Sequence, residues 1–127
     1  MWIAAIALSA LVSLVFAANG VAKLLGHPKM IEASTHMGYS MRSFRIIGLL
    51  EVFGALGILL SPLCVPLSVA AATGLILLTI AGFIAHLRAS DPIRLATPAL
   101  GCALLTAAAL GLAVPPSLQL LADEVIE

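Results

Sequence analysis

Charge is what this sequence has least of. Only 9% of its 127 residues are Asp, Glu, Lys or Arg, and the formal net charge is zero. Soluble domains carry about 25% charged residues. A chain this poor in charge cannot coat a water-facing surface, and with no net charge it has no electrostatic case for binding nucleic acid. Aromatic residues make up only 5%, and cysteine occurs twice, at Cys64 and Cys102. What fills the space is apolar: 62% of residues are hydrophobic, where soluble domains have about 45–50%. The composition is that of an integral membrane protein in contact with a lipid bilayer.

Lipid offers no partner for backbone N–H and C=O groups, so a spanning chain is helical or a closed barrel. The apolar runs here are long and continuous rather than alternating, which selects helices. Four helices of about 20 residues, with short loops, use up the chain. The predicted fold is all-α: a transmembrane four-helix bundle, up-down-up-down, with residues 1–127 as one integral membrane domain.

The first span is expected over about 2–25. A signal peptide would need a positively charged n-region, and none is present. Ser9, Ser13 and Ala17 form a small-residue stripe suited to helix–helix contact. Asn19 and Lys23 follow on one face. Lys23, near the helix end, fits either a snorkelling interfacial lysine or one half of an internal pair. Residues 26–43 make the longest loop. Pro28 suits the first position of a short helix and Gly38 the position past its end, so a short interfacial helix is predicted there. His27 and His36 lie in this loop and read as surface histidines.

The remaining spans are expected over about 44–63, 66–88 and 92–114. Asp91 reads as an N-cap before Pro92, and Pro98 as a kink. Ala72, Thr79, Gly82 and His86 share one face of the third span. Ala103, Ala107 and Gly111 form a second small stripe, available to the bundle or to a homo-oligomer. Pro115 and Pro116 should stop the last span before an acidic, amphipathic tail.

All six basic residues fall one way: Lys23, Lys29, Arg42 and Arg45 around the first loop, Arg88 and Arg94 around the third. Positive residues stay cytoplasmic. Both termini are therefore expected outside, and the protein is placed in a bacterial inner membrane.

Residues 46–60, IIGLLEVFGALGILL, are apolar in every position but Glu51. An ionisable side chain near a bilayer centre costs roughly 2.5–3.5 kcal/mol, so such residues face protein and have partners. The nearest helical neighbours of Glu51 are Gly48, Gly54 and Ala55, which allow a second helix to approach. Topology gathers the polar residues at one depth. Asn19 lies about 9 Å from its helix end, Glu51 at a similar depth, and His86 within a turn of the third span's end. A polar pocket in the cytoplasmic half follows. Glu51 fits a structural pair with Asn19, Lys23 or His86, a proton-transfer or ligand-anchoring group, or part of an ion pathway. His86 fits an interfacial histidine or a proton partner of Glu51.

The run Asn19-Gly20-Val21-Ala22-Lys23-Leu24, then Gly38 with Arg45-x-x-Gly48-x-x-Glu51, then Ala85-His86, resembles the DoxX-like family of small four-helix membrane proteins. The resemblance extends from about residue 16 to 110. It implies a four-helix bundle and, through relatives linked to quinone-coupled sulfur or thiol oxidation, a membrane-associated redox complex. Lys23, Arg45, Glu51 and His86 match polar positions of the family, without roles attached.

A membrane haem needs two facing axial ligands, and His86 is the single histidine in a span, which disfavours haem. The two cysteines are expected more than about 10 Å apart by helix rise, too far for a dithiol. No zinc spacing, phosphate loop or serine-elbow motif is present. Electron transfer would need a bound quinone or a redox partner protein. Three function classes fit: a membrane subunit of a redox system binding a quinone or similar lipophile, a stand-alone membrane enzyme (isomerase or epoxide-opening) using Glu51 and His86 as catalytic groups with Asn19, Lys23 and Arg45 in support, and a non-catalytic scaffold or transporter.

Overall fold

The computed structural model describes residues 2–113 and residue 125. Among them are five helices and no strand. The first, α1, runs Trp2–Leu25, and Gly26 stops it with a positive φ of 68°, a backbone region nearly free of penalty only for glycine. The His27 imidazole caps the next helix by accepting the Lys29 N–H at 3.3 Å. Pro28 opens α2, Pro28–His36, and Gly38, at φ 76°, follows it.

Ser40 then caps α3, Met41–Leu59, accepting the Ser43 N–H at 3.1 Å. This cap starts the helix three residues ahead of the expected position, 44. The helix also ends earlier than 63, because Pro62 pushes the residue before it out of helical backbone. The α4 helix runs Val65–Arg88, with Pro66 in its first turn, and α5 runs Ile93–Ala113 through Pro98. The expected Pro115–Pro116 stop and the amphipathic tail lie outside the described residues.

Three of the helices, α1, α4 and α5, are long and apolar enough to cross a membrane. The α3 helix, at 19 residues, carries Arg42, Arg45 and Glu51 and is set apart by that charge. Outward-facing side chains are large and apolar: Leu14, Phe53, Leu77 and Leu104 are all exposed. In water this surface would aggregate, whereas hydrocarbon solvates it.

The α1 helix packs along α3 and α5, and α4 packs along the same two. Val12, Phe16, Ala55, Ile58, Ala72, Leu75 and Ala109 form the central apolar cluster. Ser9 and Ser13 of the α1 stripe are buried, and the Ser13 hydroxyl donates to the Ala55 carbonyl at 3.0 Å. The α5 stripe is used differently. That helix buries Ala96, Thr106 and Ala109, while Ala107 and Gly111 are exposed. Nothing lies within 4 Å of the position a Cβ would take on Gly111.

The α1 and α3 helices meet backbone to backbone. A Cβ on Gly20 would stand 2.6 Å from the Gly48 carbonyl oxygen, and a Cβ on Gly48 would stand 2.6 Å from the Gly20 carbonyl oxygen. The two backbones touch, and only glycine at both positions permits it.

Candidate functional site

The glycine crossing positions the site. Lys23 lies three residues beyond Gly20 on α1, and Glu51 three residues beyond Gly48 on α3. The two helices run antiparallel, so Lys23 lies against Gly48 and Glu51 against Gly20, on either side of the crossing, and the long lysine side chain reaches across it to the carboxylate. Lys23 Nζ donates to Glu51 Oε1 at 2.6 Å, with the side chains 14% and 9% exposed. Nζ also lies 5.8 Å from the Phe44 ring centroid, within cation–π range. Glu51 Oε2 is buried and has no hydrogen-bond partner among the described residues. Buried polar atoms are nearly always paired.

This pair sits in the wall of a cavity of about 390 Å³. The lining comes from the C-terminal half of α1, the N-terminal half of α3, the C-terminal half of α4 and the N-terminal half of α5. Phe16, Phe44, Ile47 and Leu78 make its walls mostly apolar, and Asn19, Thr79, Cys102 and His86 add polar atoms. Met30 and Ala33 of α2, with Met37 and Tyr39 after it, complete the lining. Such a volume suits a small organic molecule, since ligand sites span about 300–1,000 Å³.

A second polar cluster borders the cavity. His86 Nδ1 is 2.7 Å from Asp91 Oδ2, and His36 Nε2 is 2.6 Å from Asp91 Oδ1. One carboxylate in the α4–α5 turn thus joins the end of α4 to the end of α2. The hydrogen bonds from His86 and His36 hold the Asp91 carboxyl below the usual carboxylate range.

A family model described as the DoxX-like family matches residues 7–108. The chain belongs to the DoxX-like family. Searches of curated proteins and of solved structures give no match.

In this DoxX-like membrane protein, Glu51, Lys23, Asn19 and His86 all line one cavity. Lys23 takes the internal-pair role. Of the three partners considered for Glu51, Lys23 is the one bonded to it. His86, read as an interfacial histidine or a proton partner of Glu51, has its Nδ1 engaged by Asp91. Arg45 stands apart: it is exposed, its guanidinium lies near Gly26, and it does not line the cavity. His36, read as a surface histidine, is exposed but bonded to Asp91. Asp91, read as a helix cap, spends both oxygens on imidazoles. The signal that could have found it is topological, because placing the first and third loops on one side puts His36 and Asp91 at the same end. Cys64 and Cys102 are both free thiols, the first exposed and the second at the cavity. Among the described residues no group of three metal-ligating side chains occurs.

Proposed function

We propose that this protein is a membrane subunit of a redox system that binds a quinone or similar lipophile in the cavity beside Lys23 and Glu51. The observation that carries the reading is the buried Glu51 Oε2, which lacks a partner at the wall of a mostly apolar cavity. An unpaired buried acceptor costs about 1–3 kcal/mol, and more when charged. A ligand donating a hydrogen bond there, as the reduced (hydroquinone) form of a quinone does, offsets that cost, while the apolar lining takes its hydrocarbon. Fold-level family membership alone would not assign a function.

On this reading the four long helices form an up-down-up-down bundle spanning a bacterial inner membrane, with α2 lying at the interface. The cavity opens at the end that carries all six basic residues, which the charge rule makes cytoplasmic, with both termini outside. The lipophile enters from the bilayer, and a redox partner protein docks on the cytoplasmic side.

The test is native mass spectrometry of the purified protein with extraction of bound lipids. A stoichiometric small lipophile should accompany the wild-type chain. Glu51→Gln keeps an acceptor for Lys23 but turns the second carboxylate oxygen into an amide donor, so it should fold and lose that molecule. If Glu51→Gln retains it while Glu51→Ala only lowers thermal stability, the pair is structural.

A second reading is favoured by the His86–Asp91 pair at the same cavity. Glu51 and His86 would serve as acid and base of a stand-alone isomerase or epoxide-opening enzyme. Turnover of a lipophilic epoxide by the isolated protein would select it. Binding without turnover or a redox partner would leave a scaffold or transporter.

A further inference from the structure

We propose that Asp91 sets the hydrogen-bonding polarity of the cavity: it holds His86 as the Nδ1–H imidazole, so that Nε2 accepts a hydroxyl or N–H from the bound lipophile, and through His36 it ties α2 over the same molecule. The proposal rests on the lipophile-binding reading and deepens it. Its ligand class is a lipophile that carries a hydrogen-bond donor, such as a phenol or a hydroquinone.

The argument starts from the carboxylate. An ionised carboxylate only accepts hydrogen bonds, and a neutral imidazole carries one N–H. Asp91 Oδ2 faces His86 Nδ1 at 2.7 Å and Asp91 Oδ1 faces His36 Nε2 at 2.6 Å. The proton therefore sits on Nδ1 of His86 and on Nε2 of His36. The nitrogen of His86 left for the cavity is Nε2, and it bears a lone pair. Glu51, on another wall of the cavity, adds a buried acceptor, Oε2, without a partner among the described residues.

The other half concerns α2. That helix and its C-cap supply Met30, Ala33 and Met37 to the lining. It packs against α1 and α3. Among the described residues, its one side-chain hydrogen bond toward α4 and α5 is His36 to Asp91. Glycines with positive φ flank it, Gly26 at 68° and Gly38 at 76°. Asp91 thus holds the imidazole at the cavity and the helix over it with its two oxygens.

The test is 15N spectroscopy of histidine-labelled protein in lipid nanodiscs, at a pH well above the ordinary imidazole value of about 6.5. The chain has three histidines. His27 Nδ1 accepts the Lys29 N–H, so its proton sits on Nε2 and it serves as the internal reference. The expected pattern is one Nδ1–H imidazole, His86, and two Nε2–H imidazoles. Asp91→Ala should return His86 to the Nε2–H form, whereas His36→Ala should leave it as Nδ1–H. An Nε2–H form for His86 in the wild type overturns the proposal.

A binding arm uses 4-decylphenol and its methyl ether. The wild type should prefer the phenol by roughly threefold to tenfold, the worth of one hydrogen bond. Asp91→Ala should lose most of that preference. His36→Ala should keep it but release the phenol faster. Equal binding of phenol and ether by the wild type overturns the acceptor assignment. Failure of both to bind overturns the ligand class and the reading beneath it, while the tautomer in probe-free protein still decides whether Asp91 positions His86.

Discussion

Replacing Lys23 by methionine is the perturbation whose size the structure defines best. The Lys23–Glu51 contact is 2.6 Å long and nearly buried, and Oε2 of the same carboxylate already lacks a partner. Lys23→Met leaves both oxygens unpaired. Removing one member of a buried ion pair costs about 3–5 kcal/mol. Loss of the Phe44 cation–π contact adds about 0.5–1 kcal/mol. The reverse change, Glu51→Leu, should cost less, about 1–2 kcal/mol, because Lys23 stands one turn from its helix end and can extend to the interface. The double substitution removes the charge and should be nearly as stable as wild type, since apolar replacements of buried pairs are often neutral. SDS-driven unfolding in mixed micelles, followed by helical circular dichroism, measures all four corners of the cycle. The predicted coupling is at least about 2 kcal/mol. Additive single effects, or Lys23→Met within about 0.5 kcal/mol of wild type, would refute the claim that the pair is a buried, mutually dependent unit.

Other outcomes follow from the same geometry. Gly48→Ala puts a methyl group 2.6 Å from the Gly20 carbonyl oxygen, so it should cost about 1–3 kcal/mol and weaken whatever binds beside Glu51. Gly101→Ala meets open space and should be neutral or stabilising by about 0.5–1 kcal/mol, by the same unfolding assay. The depressed pKa of Asp91 gives stability that is present above the ordinary carboxylate value of about 3.9 and lost as pH falls through the lower folded value. Measured against the intrinsic exchange rate, which itself slows in acid, the hydrogen-exchange protection of α2 amides should therefore fall below about pH 4, and Asp91→Asn should show lower protection already at neutral pH with no such acid step. A membrane-impermeant maleimide, applied to intact cells, should label the exposed Cys64 from outside. A cysteine introduced at His36 should react only after the cells are opened, and the reversed pattern would invert the topology.

Much of this architecture is legible in the sequence because lipid allows few alternatives. Pro28 and Gly38 bracket α2 as their backbone preferences require. The isolated carboxylate of Glu51 announces a partner, but which one depends on the antiparallel crossing of Gly20 and Gly48, across which the long Lys23 side chain reaches it. What the sequence conceals is non-local. Asp91 before Pro92 has the look of a helix cap, and its partners His36 and His86 stand 55 and 5 residues away. The α5 stripe of small residues fits the bundle or a homo-oligomer equally, because spacing alone cannot say which face of an apolar helix packs within the chain. Burial selects Ala96, Thr106 and Ala109 instead. Arg45 matches the family pattern but sits outside the cavity, near Gly26.

Photolabelling tests the central claim most directly. A photoreactive hydroquinone, kept reduced and bound to protein in nanodiscs, irradiated and mapped by peptide mass spectrometry, reports which surface holds the ring. Labels should fall on Met30, Met37 and Cys102, should disappear when excess unlabelled hydroquinone competes, and should be lost in Glu51→Gln. Labels confined to lipid-facing residues such as Leu14 and Leu104, unaffected by competitor, would contradict it.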